Sequence, residues 1–148
     1  MKKICMILAA VILGAAAHDA FAQLKIGGTT EGSKRLSVLS MEWNWLYLVK
    51  NHYFLVTKTT NQFDDWIWLD LGDTQEVAAE TIGSLIELLE TGEKGQETQI
   101  ESLGKTYTLM YSSELGVKFF RVHSSERAGL GNITMQALKK AATYLQKE

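Results

Sequence analysis

The chain has 148 residues, one cysteine and no proline, and its 15 Lys and Arg against 17 Asp and Glu give a formal charge of −2. That length suits one domain with a real core. The acidic balance argues against a generic phosphate-backbone binder, and a lone cysteine excludes a disulfide scaffold and any multi-cysteine zinc or iron–sulfur site.

The first residues have the form of a targeting signal. Lys2 and Lys3 precede an apolar run over residues 4–17, and Ala20 and Ala22 put small residues where a signal peptidase reads. Residues 1–22 are therefore expected to be a cleaved secretory signal, with a mature chain from Gln23. The run is too short to cross a hydrocarbon core of ~30 Å comfortably, and no basic stop-transfer flank follows. No transmembrane anchor is expected after cleavage. Cys5 leaves with the signal, and the loss of Lys2, Lys3 and Asp19 makes the charge one unit more negative. The expected location is the bacterial envelope, periplasmic or secreted, with a disulfide-free fold.

Residues 23–35 are polar and glycine-rich over "KIGGTTEGSKR", which reads as a flexible N-terminal segment. A single domain is expected over residues 36–148. "RLSVLSMEWNWLYLV" is rich in aromatic and branched residues and reads as a first strand. A turn at Asn51-His52 leads to "YFLVTKTT", and Asn61-Gln62 to "DDWIWLDL", the second and third strands. The period then changes. Ala78, Ile82, Leu85, Ile86 and Leu89 recur at helical spacing, Asp73 with Glu76 forms a capping-box pattern, and Thr91-Gly92 ends the helix. "ETQIESLG", "KTYTLMYS" and "VKFFRVHS" supply three further strands. After the loop "SERAGLGN", Thr134, Leu138, Ala141 and Leu145 lie on one helical face, with Asn132 as the expected cap. The fold class is α+β, an antiparallel sheet of about six strands with two helices in the order strands, helix, strands, helix.

This order, in which each group of strands is followed by a helix, resembles the Whirly-type single-strand-binding fold over most of the mature chain. The resemblance lies in topology, with no signature motif matched residue by residue. By analogy it implies a single-stranded nucleic-acid-binding domain, while the acidic balance and the export signal argue against nucleic acid as partner.

Alternation along a strand sends neighbouring side chains to opposite faces. Trp43, Trp45, Tyr47 and Val49 then share one face and Leu46 and Leu48 the other, while Trp66, Trp68 and Asp70 oppose Ile67, Leu69 and Leu71. Large aromatics on one side can be core beneath the helices or a platform that stacks on sugar rings or unpaired bases. Asp64, Asp65, Asp70 and Asp73 are split by a strand and do not form a calcium loop. No metal site or cofactor is expected.

Catalytic patterns are sparse. His52 and His123 have no second histidine at zinc-ligand spacing. His123 is followed by Ser124, Ser125 and Glu126, which allows a small hydrolase only if these groups converge in a cleft. "LGKT" has Gln99 where a phosphate-binding loop requires glycine. "AGLGN" lies between a strand and the last helix, so no dinucleotide-binding unit can form, but Arg127, Gly131 and Asn132 there suggest an anion-binding helix start. Lys139, Lys140 and Lys147 read as a solvated helix face. The favoured function is non-catalytic binding of a protein or glycan-like ligand through Trp43, Trp45, Tyr47, Trp66 and Trp68. The rivals are the single-strand binder, the His123 hydrolase, and a homo-oligomer that uses the aromatic face as its interface.

Overall fold

The structure is a computed structural model that describes residues 33–40, 43–60, 66–124 and 130–147. The α+β class is as expected. Among the described residues the strands number eight and form two antiparallel sheets of four, not one sheet of about six. The first sheet contains β1 (Ser33–Ser40), β2 (Asn44–Val49), β3 (His52–Lys58) and β4 (Trp66–Gly72) in that order, and helix α1 (Gln75–Thr91) follows. The second contains β5 (Glu97–Ser102), β6 (Lys105–Glu114), β7 (Val117–Ser124) and β8 (Gly131–Thr134), and α2 (Met135–Leu145) follows. No described helix is long and apolar enough to cross a membrane.

Two of the eight strands escaped the sequence pattern. The apolar run up to Val49 is a hairpin, in which β1 folds back on β2 with register shifts between Arg35 and Ser37 and between Val38 and Ser40. β1 begins at Ser33, inside the stretch read as a flexible lead-in. β8 occupies the end of the loop "SERAGLGN" and pairs with β7 through Gly131 to Val122 and Ile133 to Phe120.

Three hairpins close with two-residue turns. Lys50-Asn51, Leu103-Gly104 and Leu115-Gly116 all have positive φ at both positions, which is the twist that suits flanking strands. The first of these moves the turn one residue ahead of the expected Asn51-His52, so His52 opens β3 opposite Val49. "LGKT" is thereby explained as a hairpin turn, since Ser102 pairs with Lys105 across Leu103-Gly104.

Both helix caps sit further along than the sequence suggested. Thr74, not Asp73, caps α1, and its Oγ1 accepts from the Val77 amide at 3.1 Å. Thr134, not Asn132, caps α2, and its Oγ1 accepts from the Ala137 amide at 3.1 Å. α1 ends at Gly92 as expected, with the Gly92 amide donating to Leu88 O at 2.8 Å.

Both helices bury one stripe in a common core. Ala78, Ile82, Leu85 and Leu89 of α1 and Ala137, Leu138, Ala141 and Leu145 of α2 meet Leu46, Leu55, Ile67 and Leu69 of the first sheet and Leu109, Phe120, Val122 and Ile133 of the second. Side-chain alternation leaves each sheet a second face that this core does not reach.

Polar side chains pin the sheets to each other. Asn44 and Thr57, both fully buried, face the end of β8. Asn44 Nδ2 donates to Thr57 Oγ1 at 3.0 Å and to Asn132 O at 2.8 Å, and Thr57 Oγ1 donates to Asn132 O at 3.1 Å. The Thr60 amide donates to Leu130 O at 2.9 Å, and Thr59 bridges Gly131. At a second corner Ser102 Oγ donates to Trp68 O at 2.7 Å and accepts from the Asp70 amide at 2.8 Å, which fastens the end of β5 to the edge of β4.

Gly131 makes the first junction close. A Cβ there would lie 2.6 Å from Thr57 Cγ2 and 3.3 Å from Ile67 Cδ1. Thr57 cannot swing away without breaking its bonds to Asn44 and Asn132. Gly131→Ala is therefore expected to cost about 1–3 kcal/mol, the range for overpacking a filled core. Asn44→Ala is expected to cost a similar amount, about 1–3 kcal/mol, because Thr57 and the Asn132 carbonyl lose a buried donor. Urea unfolding of each variant checks both values, with the midpoint falling while the slope stays constant.

Candidate functional site

The second face of the first sheet is aromatic. Trp45, Val49, Phe54, Val56 and Trp68 form a buried cluster there, with Tyr47, Trp66 and Leu103 packed around it. The register explains the grouping. Trp45 pairs with Val56 and Val56 with Trp68, while Tyr47 pairs with Phe54 and Phe54 with Asp70. Because the strands alternate, every second residue of β2, β3 and β4 adds to this face.

No described helix packs on this face, so the rings shield one another. Trp45 and Trp66 stack with centroids 4.5 Å apart and planes tilted by 39°. Tyr47 meets Trp68 at 5.1 Å, and Phe54 meets the same indole edge-on at 5.8 Å. Such tilted and edge-to-face pairs add about 0.5–1.5 kcal/mol beyond the area they bury. Leu103 reaches the cluster from the β5–β6 turn, carried past the edge of β4 by the Ser102 bonds.

The five aromatics singled out in the sequence are not equivalent. Trp45 and Trp68 keep only 6% and 8% of their surface, so they form the floor. Tyr47 and Trp66 are half-buried. Trp43 lies just before β2, its carbonyl accepting from the Lys58 amide at 2.9 Å, and is 45% exposed. The face is thus sealed in the middle and open at the Trp43 and Trp66 end.

The other end of the face is polar, where Asp70, placed with the tryptophans by alternation, meets His52, which the sequence put in a turn. His52 Nδ1 lies 3.3 Å from Asp70 Oδ2, and Asp70 Oδ1 accepts from the Gly72 amide at 2.9 Å. Both side chains are largely covered, and the His52 ring is 6.3 Å from that of Phe54. A two-residue turn at Lys50-Asn51 is the signal that would have placed His52 on the same face as Phe54. Asp70 thus acts as a structural partner of a histidine and a backbone amide. Asp64 and Asp65 lie outside the described residues, and no group of three metal-ligating side chains occurs among the described ones.

The remaining candidates do not come together. Gly131 and Asn132 belong to β8 and are committed to strand pairing and to the sheet junction, so they do not present a helix start to an anion. Arg127 and Glu126 fall outside the described residues. His123 and Ser124 are successive residues of β7 and face opposite sides of the second sheet, with Ser124 buried, so alternation separates the two groups a hydrolase would need side by side. Compared with protein-family models, curated proteins and solved structures, the chain matches none of them.

The exposure gradient has a direct optical consequence. Iodide is expected to quench one fraction of the tryptophan emission and leave the rest protected. Trp43→Phe should remove most of the quenchable fraction, whereas Trp68→Phe should leave it unchanged. Stern–Volmer plots of the two variants check this.

Proposed function

We propose that the protein is an exported, non-catalytic binding domain that holds a protein or glycan-like ligand at the open end of its aromatic sheet face. The observation that carries this reading is the exposed Trp43 at the same end of the sheet as the half-buried Trp66, which stacks on Trp45 of the buried floor. Flat rings held on paired strands lose little freedom when a ligand arrives, so more of the contact energy remains as affinity. Trp43, Trp66 and Tyr47 would stack on the ligand or anchor its apolar parts. Trp45 and Trp68 would keep those rings in place. Export rests on the signal-like residues 1–22.

Indole emission reports directly on this reading. Titration with neutral oligosaccharides and with hydrophobic peptides is expected to give a saturable change in the chain's fluorescence. Replacing Trp43 and Trp66 together with alanine should weaken the responding ligand by at least about tenfold, or 1.4 kcal/mol, with the far-ultraviolet circular dichroism retained. A chain that responds to neither class at millimolar concentration would exclude the proposal. For export, N-terminal sequencing of the protein recovered from the periplasm or medium is expected to begin at Gln23.

A second reading is supported by the twice-repeated order of four strands and a helix, which keeps the topological resemblance to the Whirly-type fold. In it the same aromatic end would stack on unpaired bases. Binding to an oligothymidylate that weakens steeply with salt would favour this reading, and no binding at low salt would dismiss it.

A further inference from the structure

The first sheet has two edges, and they are treated differently. β4 is closed by Ser102, which occupies the Asp70 amide and the Trp68 carbonyl. β1 is the other edge, and its strand partner among the described residues is β2 alone. Helix α2 packs over β1, and between them runs an open groove lined by Ser37, Gln136, Lys139, Lys140, Tyr144 and Lys147.

The charged residues that line this groove are all lysines. Lys139, Lys140 and Lys147 of α2 and the residues after it line the groove, and β1 adds two exposed cations to the edge itself, Lys34 on the helix side opposite Leu48 and Arg35 on the aromatic side opposite Tyr47. Neither element contains a carboxylate through Lys147. Glu90 of α1 lies 3.9 Å from Lys139 and offsets part of that charge. In a protein of net charge −2 this is a marked segregation. The neighbouring helix α1 instead carries four acids, Glu76, Glu80, Glu87 and Glu90. Attraction to a helix C-terminus accounts for Lys147 but not for Lys139 in mid-helix or for the pair on β1.

We propose that the β1 edge and the overhanging face of α2 form a docking site for an acidic, extended segment of a partner protein, which adds to the first sheet as a fifth strand. An edge offers alternating backbone donors and acceptors, and another extended peptide can satisfy both kinds. A polynucleotide would meet the edge carbonyls with phosphate oxygens, which repel. A second copy adding its own β1 would bring Lys34, Arg35 and the α2 lysines against their equivalents. This site lies apart from the open end of the aromatic face and does not depend on it.

The probe is an acetylated, amidated octapeptide of alternating glutamate and threonine, titrated into the full chain. It is expected to bind and to slow amide exchange in β1 selectively. The exposed double variants Lys139→Glu with Lys140→Glu and Lys34→Glu with Arg35→Glu should each bind it at least about tenfold more weakly, while Trp43→Ala should bind it normally. The same peptide N-methylated at alternate amides keeps its charge but cannot pair along a strand, and it should lose binding. Equal binding of the methylated peptide, or no protection of β1, would overturn strand addition. Tighter binding of a single-stranded oligonucleotide of the same charge would overturn the choice of partner, and self-association of the chain without peptide binding would assign the edge to a second copy.

Discussion

The architecture depends on one crowded polar contact, the closed triangle formed by the Asn44 amide, the Thr57 hydroxyl and the Asn132 carbonyl beside Gly131. Each sheet is apolar on the face it turns to the helices, and that would hold the layers together without fixing their crossing. Hydrogen bonds fix it because they are directional and because a buried donor left unmade is expensive. The two hydrogens of Asn44 Nδ2 and the single hydroxyl hydrogen of Thr57 are all used within the triangle. No rotation of one sheet against the other preserves all three bonds, and the missing side chain at position 131 allows the backbones to come that close. Ser102 repeats the principle at another corner with a single hydroxyl that both donates and accepts.

Placing both helices on the inner side leaves the first sheet with a second apolar face to cover. Aromatic rings do this well because each shields a large area and tilts onto its neighbour. The cluster is best protected on its central strand, at Phe54 and Val56, and gives way at its margins, to His52 with Asp70 at one end and to Trp43 at the other. The exposed rings then need no separate scaffold. The rings that stabilise the sheet also hold rigid those that reach solvent.

Much of this was legible in the sequence, and the failures share a cause. The α1 stripe, the alternation in "WNWLYLV" and "WIWLDL", and the Gly92 stop are local patterns and are found where local rules place them. Between β1 and β2 the sequence "MEW" has no glycine, asparagine or other turn residue to announce a reversal. β8 was hidden because Gly131 reads as a loop residue until the threonine it must clear, far away in β3, is known. The division into two sheets is likewise decided by contacts between distant segments. At the candidate site the aromatic residues and their common face could be read in advance. Their unequal exposure could not, since it comes from rings on three strands covering one another. The His52–Asp70 pair needed the turn at Lys50-Asn51 to be placed to the residue.

The spacing of the junction bonds along the chain bears on how the molecule assembles. Each hairpin closes over two residues, a local event on the scale of about 1–10 μs. Asn44 and Asn132 are separated by 88 positions, and uniting them requires most of the chain to be ordered at once. Such closure is entropically slow. Each half, four strands and a helix, can gather its own pairings before the halves lock. The triangle then acts as a late latch on the assembled molecule. Weakening it would shorten the lifetime of the folded state far more than it would delay its formation.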